Sequence, residues 1–367
     1  MERCRVCILP DSMPGVSLDE TGKCNYCRNF EQLYSEDTDE KREALRLKLE
    51  SVLEKYRGKG KYDFLVPMSG GKDGLFILYE LAHKHKAKVL AFNIDTGFRS
   101  ELAVRNMENA VKKLGVDFVV YKPNEQTLFK LFRTFLTESG EFCCVCNRLI
   151  KVASLEIAKK FDVPMIMMGA YGKYAAAYDH ASPARYTNYY YYCNVLERAN
   201  LDVGDYKDFA GDSPMMESIK KRAKKNPQLF DPLNYIDPGI DNLKKTIIEE
   251  LEWQSPSEEI QHGDCLLNPL KDYLMNRKWG YSEITQAYSA LVRNGIMSRD
   301  EALRMAEEEE DEVRTPPPVL EMFLEKIGMT LDEFEESQKR HFSDIPNTVN
   351  NAYTKARKIY RRIRYGK

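Results

Sequence analysis

Short apolar runs alternate with amphipathic stretches between residues 61 and 169 of the chain. The stretches between the runs have the spacing of helices, and the runs themselves predict strands at 64–68, 89–94, 118–121 and 164–169. Helices are expected at 74–85, 100–114, 125–137 and 148–161. Near-continuous apolar strands that alternate with helices are typical of a parallel sheet covered on both faces. The predicted fold class is therefore α/β, with a doubly wound parallel sheet.

The chain on either side of this region has a different pattern. Residues 38–58 are highly charged and carry apolar positions at helical spacing, which predicts a helical connector. Beyond residue 244 the pattern is mainly helical, with helices expected at 298–308, 319–327 and 348–364. The stretch from 171 to 237 has too weak a pattern to assign elements.

Two features inside that weak stretch have alternative interpretations. Four consecutive tyrosines, residues 189–192, favour a buried packing surface over a platform that stacks on a base or sugar. The basic run at 220–225 favours a solvated helix face over a site for an anionic group.

Composition and charge narrow the class of protein. A chain of 367 residues predicts two or three structural units. With 55 basic and 57 acidic residues, the net charge of -2 gives no overall positive field, so a nucleic-acid partner is not expected. No apolar stretch approaches the roughly 20 residues that cross a bilayer, and no hydrophobic signal region follows the first residues. The sequence predicts a cytoplasmic protein with no membrane partner.

Four of the nine cysteines form two Cys-x-x-Cys hooks near the start of the chain: Cys4, Cys7, Cys24 and Cys27. An odd cysteine count without an export signal argues against a disulfide framework. The spacing of the two hooks is typical of a tetrahedral Zn²⁺ site with four thiolates. Because four thiolates leave no open coordination position, we expect a structural zinc ribbon whose folding depends on the metal.

A second group of cysteines is less regular. Cys143 and Cys146 repeat the hook spacing, but no second hook follows, and Cys265 is the next single candidate. Three thiolates would suit an iron-sulfur cluster with one open corner. The alternative is that these side chains are small buried hydrophobic groups.

The segment after the first predicted strand has the composition of a phosphate-binding turn. Adjacent glycines let backbone N–H groups approach a phosphate, and the start of the next helix adds unpaired donors and a positive dipole end. A hydroxyl donor and an ammonium donor flank the two glycines. The segment consists of Ser69, Gly70, Gly71, Lys72, Asp73 and Gly74. The chain contains no Walker string of Gly, four residues, Gly-Lys and Ser or Thr.

This segment resembles the pyrophosphate loop (PP-loop) of the ATP pyrophosphatase superfamily, Ser-Gly-Gly-x-Asp-Ser, and residues 93–97 resemble its companion nucleotide-contacting segment. The resemblance implies that ATP is cleaved to AMP and pyrophosphate, with Asp95 and Thr96 contacting the nucleotide. It also implies that Lys72 and Asp73 are catalytic, with Asp73 organising the loop or Mg²⁺, and that the pyrophosphate lies among Ser69, Gly70, Gly71 and Lys72. Gly74 departs from the pattern, which has Ser or Thr there.

A wider set of motifs resembles the N-acetyl sugar amidotransferases of that superfamily. The set comprises the two N-terminal hooks, the loop, residues 143–146, and the segment 274–302 with Trp279-Gly280-Tyr281 and Arg293-Asn294-Gly295. The resemblance implies that ATP activates the acetamido oxygen of an N-acetyl sugar. Ammonia from a separate partner glutaminase then displaces that oxygen.

Two alternatives stay open. A PP-loop sulfurtransferase would use a 4Fe-4S cluster on Cys143, Cys146 and Cys265 to thiolate a nucleotide or small molecule, and a noncatalytic zinc-ribbon scaffold would only bind. The sequence leaves substrate identity and the oligomeric state open, and a homo-oligomer is compatible with it. The predicted domains are a zinc ribbon (1–35), a helical connector (36–60), a PP-loop ATP-binding α/β domain (61–200) and a mainly helical C-terminal region (201–367).

Overall fold

A five-stranded parallel sheet forms the centre of the molecule. The computed structural model describes residues 2–34, 38–169, 189–223, 226–255 and 263–346. The strand order is β3-β2-β1-β4-β5, and every neighbouring pair is parallel. The strands are β1 (Phe64–Pro67), β2 (Val89–Ile94), β3 (Asp117–Tyr121), β4 (Met165–Met167) and β5 (Gln228–Phe230). The predicted α/β class and the four predicted strands are confirmed.

Strands β1, β2 and β4 are buried on both faces of the sheet, whereas the edge strand β3 is partly exposed. Successive side chains of a strand point to opposite sides of the sheet. Leu65 of β1 and Leu90 of β2 are paired in register and lie in one core, whereas Phe64 and Val89, the preceding pair, lie in the other. Every residue of β2 is buried. This double burial explains why the strands are continuous apolar runs and not alternating ones.

Helices cover both faces of the sheet. One face packs against helices α2, α3, α4 and α10, and the other packs mainly against α5, α6, α7 and α8. The helices in order are α1 (Asn25–Tyr34), α2 (Asp39–Tyr56), α3 (Lys72–Tyr79), α4 (Glu101–Leu114), α5 (Glu125–Ser139), α6 (Cys143–Lys160), α7 (Tyr189–Arg198), α8 (Lys207–Ala210), α9 (Pro214–Arg222), α10 (Ile240–Leu251), α11 (Asn268–Trp279), α12 (Glu283–Arg293), α13 (Arg299–Glu312), α14 (Val319–Ile327) and α15 (Leu331–Ser337).

Three observations refine the predicted organisation. The helix expected from residue 148 begins at Cys143, so the second cysteine group lies in the first turn of α6. The sheet extends past residue 200, the predicted end of the α/β domain, because β5 pairs with β4 and α10 packs on the same sheet. The helix predicted at 348–364 lies outside the described residues.

The weak stretch also becomes interpretable. The tyrosines begin α7, where Tyr191 and Tyr192 are fully buried and pack against Phe135, so the packing interpretation is confirmed. Helix α9 carries residues 220–222 of the basic run and buries none of its own residues, as a solvated helix would. Lys224 and Lys225 lie outside the described residues.

The N-terminal segment packs against the C-terminal helices. Its cysteines share a buried cluster with Met275 and Tyr281. The Arg3 guanidinium contacts the Glu310 carboxylate at 2.7 Å, and the Ser12 hydroxyl donates to the carbonyl of Trp279. Within the described part of the chain, no helix combines the length and apolarity that a membrane crossing requires.

Candidate functional site

The turn between β1 and α3, residues 68–71, contains one position whose backbone conformation favours glycine. Gly70 has a φ of +89°, in the region that L side chains rarely adopt. A Cβ built on Gly70 would lie 2.5 Å from the carbonyl oxygen of Ala103 in α4. Any side chain at this position would therefore push the turn away from α4.

The first turn of α3 presents donors to the space beside this loop. Gly71 is the N-cap of the helix, and no side chain caps it. Helix N-termini carry unpaired N–H groups and a partial positive charge, which together favour an anion such as phosphate. The predicted residues Ser69, Gly70, Gly71, Lys72 and Asp73 thus lie at the glycine turn and in the first turn of α3.

Lys72 and Asp73 are close to one another at the start of α3. The Lys72 ammonium lies 3.4 Å from the Asp73 carboxylate, and both side chains are partly exposed. A cation at this helix start adds to the positive potential for a phosphate, and an adjacent carboxylate is a suitable oxygen ligand for Mg²⁺.

Gly74 stands where the PP-loop pattern has Ser or Thr, and the packing of the turn favours glycine at this position. A Cβ on Gly74 would lie 3.2 Å from the Cβ of Met68 and 3.3 Å from its Cα. A serine or threonine there would need Met68 to shift by a few tenths of an ångström, so glycine suits the closer packing of this turn.

The second predicted nucleotide segment follows the neighbouring strand. Since β1 and β2 are adjacent and parallel, Asp95 and Thr96 lie at the same edge of the sheet as the loop. The Asn93 amide ties the two segments together by donating to the carbonyl of Met68 at 2.7 Å. The structure thus brings both predicted nucleotide-contacting segments together.

Asp95 is held ionised by its partners. Partial burial raises the pKa of this carboxyl, but the amide of Gly97 and the ammonium of Lys122, at 2.9 Å and 3.0 Å, outweigh burial and lower the pKa below its usual value. A fixed carboxylate at this edge of the sheet can accept hydrogen bonds or contact a divalent cation.

The thiols of the second cysteine group are neighbours. Burial is the largest cause of a raised pKa at Cys143, Cys146 and Cys265. The Cys265 thiol further raises the pKa of Cys143 and that of Cys146. The backbone of Cys265 forms an antiparallel bridge with that of Arg99, five residues after β2, so Cys265 lies close to the segment that follows β2. Their sulfurs do not meet the mutual spacing of 4.8 Å that the N-terminal cysteines meet within the described residues.

Charged groups surround these thiols, and the sequence alone did not identify them. The buried Glu141 carboxylate accepts hydrogen bonds from the amides of Cys143 and Cys144, at 2.7 Å and 3.3 Å, and thereby fixes the start of α6. Arg99 lies 3.3 Å from the carboxylate of Asp264. Lys271, whose ammonium contacts Glu283, lowers the pKa of the Cys143 and Cys265 thiols against the larger effect of burial. None of these residues belongs to a motif, so no sequence signal marked them.

The four N-terminal sulfurs have the geometry of a zinc site. Cys4 and Cys27 sulfurs are 3.9 Å apart, those of Cys7 and Cys24 are 3.8 Å apart, and all four are buried within 4.8 Å of one another. A tetrahedral ion with Zn–S distances of about 2.3 Å places its sulfurs about 3.8 Å apart. Backbone N–H groups that point at these sulfurs support thiolates. The predicted residues therefore fit a structural Zn²⁺.

Comparisons with known proteins give a partial match and distant similarities. Residues 252–364 match the C-terminal domain of the WbpG-like LPS biosynthesis proteins. An uncharacterised protein of Methanocaldococcus jannaschii, MJ1599, is 22% identical over 266 residues, which are 72% of this chain and 80% of that protein.

Two solved structures are similar over most of their length, with low TM-scores and low identity. The U34-tRNA thiolase NcsA of Methanococcus maripaludis, solved with its 4Fe-4S cluster, has a TM-score of 0.36 and 15% identity over 90% of this chain and 98% of its own. The NMN synthetase of Francisella tularensis has a TM-score of 0.40 and 12% identity over 75% of this chain and 93% of its own. TM-scores and identities as low as these establish no shared reaction.

Proposed function

We propose that this protein is an ATP-dependent amidotransferase of the PP-loop type that forms AMP and pyrophosphate. The carrying observation is the glycine turn at the start of α3, where Gly70 packs against Ala103 and Lys72 stands beside the uncapped helix start. Asp95 and Thr96 at the same sheet edge complete a nucleotide site. In this proposal the loop holds the pyrophosphate part of ATP.

The reaction needs activation because an amide oxygen is a poor leaving group. Attack of an acetamido oxygen of an N-acetyl sugar on the α-phosphorus of ATP forms a C–O–P bond and releases pyrophosphate. Ammonia then adds to the activated carbon and AMP departs with the original oxygen, which leaves an acetamidino group. Lys72 and the α3 amides stabilise the charge on the departing pyrophosphate. Mg²⁺ would neutralise the phosphates, with the Asp73 carboxylate as the ligand at hand.

A sugar substrate is supported by the match of residues 252–364 to a domain of LPS biosynthesis proteins. Ammonia, in this proposal, comes from a partner glutaminase, and we place the reaction in the cytoplasm.

A second candidate function rests on the thiols. Cys143, Cys146 and Cys265 influence one another electrostatically, and Arg99, which follows β2, acts on Cys146 and Cys265. An iron-sulfur cluster, being larger than a single ion, would hold its thiolates further apart than zinc does. A PP-loop sulfurtransferase would use the same adenylation and then sulfur in place of ammonia.

One experiment separates the candidates. Protein purified without oxygen is analysed for zinc, iron and sulfide, then assayed for AMP and pyrophosphate with N-acetyl sugars and either ammonium or sulfide. We expect about one zinc per chain, as a single four-thiolate site implies, and turnover that requires both the sugar and ammonium. Brown protein with iron, sulfide and a thiolated product would instead favour the sulfurtransferase. Fully metallated protein without turnover would favour a noncatalytic scaffold.

A further inference from the structure

The glycine turn between β1 and α3 accepts a hydrogen bond from a residue that lies far away in sequence. The indole N–H of Trp253 donates to the carbonyl of Gly70 at 3.0 Å, and Trp253 is buried. The two residues are separated by 183 positions, and Trp253 lies just beyond the C-terminal end of α10.

The segment that carries Trp253 is itself fixed to α4. The Asn106 amide donates to the carbonyl of Gln254 at 2.9 Å, and the amide of Gln254 donates back to Asn106 at 3.0 Å. Asn106 is buried, and it lies one turn after Ala103, the residue against which Gly70 packs. Gly70 is thus in contact with α4 and with Trp253, and these two are joined to each other.

This contact fixes the direction of a backbone N–H that can donate a hydrogen bond to a phosphate. In a trans peptide the carbonyl and the following N–H point in opposite directions within one rigid plane. With the Gly70 carbonyl directed at Trp253, the N–H of Gly71 points away from the indole. Little else packs against Gly71: apart from its chain neighbours, a Cβ built at that position would meet only the Ser69 hydroxyl, at 3.4 Å.

We infer that Trp253 is a positioning residue that orients the Gly70–Gly71 peptide so that the Gly71 N–H faces the pyrophosphate of ATP. The inference rests on the proposed function of the loop. It predicts that Trp253 affects binding of the pyrophosphate group but not of a nucleotide that lacks it.

The test replaces Trp253 with Phe, which keeps an aromatic ring and removes the donor. The control is Trp279→Phe, which also removes one indole hydrogen bond, that to His341 at 2.7 Å, away from the loop. Binding of pyrophosphate and of AMP is measured with Mg²⁺ for both variants and the parent. We expect about 3- to 10-fold weaker pyrophosphate binding for Trp253→Phe, the loss of one net hydrogen bond, with AMP binding unchanged. Trp279→Phe should bind both ligands as the parent does.

A second measurement does not require a variant at position 253. The chain has two tryptophans, so Trp279→Phe leaves Trp253 as the only tryptophan, and excitation at the long-wavelength edge of its absorption avoids the tyrosines. Pyrophosphate should change its fluorescence and AMP should not. Three results would overturn the inference: equally weakened binding of pyrophosphate and AMP in Trp253→Phe, unchanged pyrophosphate binding in that variant, or Trp253 fluorescence that does not change when pyrophosphate is added. If the parent binds neither pyrophosphate nor ATP, the proposed function fails and the inference fails with it.

Discussion

Replacing Lys72 with alanine is expected to lower the rate of ATP-dependent AMP and pyrophosphate formation by about 100-fold or more, the effect of removing one preorganised charge-stabilising donor. Lys72 begins α3, whose N-terminus has no side-chain cap, and in the proposed reaction the departing pyrophosphate develops its charge there. Its side chain is partly exposed and pairs only loosely with Asp73, at 3.4 Å. The midpoint of thermal unfolding should therefore change little, because partly exposed ion pairs contribute little to stability.

The matched control for this variant is Lys84→Ala. Lys84 lies in the turn that continues α3 and pairs with Glu80, away from the loop. Rates of pyrophosphate release are compared at saturating ATP and at limiting ATP. A Lys72→Ala protein that turns over as fast as Lys84→Ala would refute the catalytic assignment of the loop.

Replacing Cys24 with serine is expected to remove the bound zinc and unfold the N-terminal ribbon. Structural zinc sites in small peptides contribute about 10–16 kcal/mol of folding free energy, and about thirty residues bury too little apolar surface to fold alone. The loss should also expose Met275 and Tyr281, which share the buried cluster of the ribbon. Metal analysis should fall from about one zinc per chain to none, and limited trypsin digestion should cut at Arg5, Lys23 and Arg28.

Cys193→Ser is the control, since Cys193 is also a buried thiol and lies in α7, outside the four-sulfur cluster. This protein should keep its zinc and its protease resistance. A Cys24→Ser protein that retained zinc and resisted trypsin would show that the four sulfurs do not form the metal site.

Local patterns were sufficient to predict much of the fold and the site. Strands β1, β2 and β4 are continuous apolar runs because both faces of the sheet are covered around them, and that pattern is local. The turn after β1 was recognisable because its glycines and Lys72 are adjacent in sequence. The zinc ligands were recognisable because two residues between cysteines are what a single ion requires.

The remaining features depend on contacts between distant segments. β5 has three residues with an exposed Leu229, so it lacked the apolar run of a buried strand. Trp253 reaches the loop only because α10 packs on the sheet beside α3. Glu141 acts on the thiols through two backbone amides, a role without a residue signature. Sequence spacing carries no information on such contacts.

The most direct test of the central claim is a crystal structure of the protein with Mg²⁺ and a nonhydrolysable ATP analogue. We expect the β- and γ-phosphates to accept hydrogen bonds from the amides of Gly71 and the first turn of α3, with Lys72 on a phosphate oxygen and the nucleoside against Asp95 and Thr96. An analogue bound elsewhere, with the turn free of phosphate, would contradict the account.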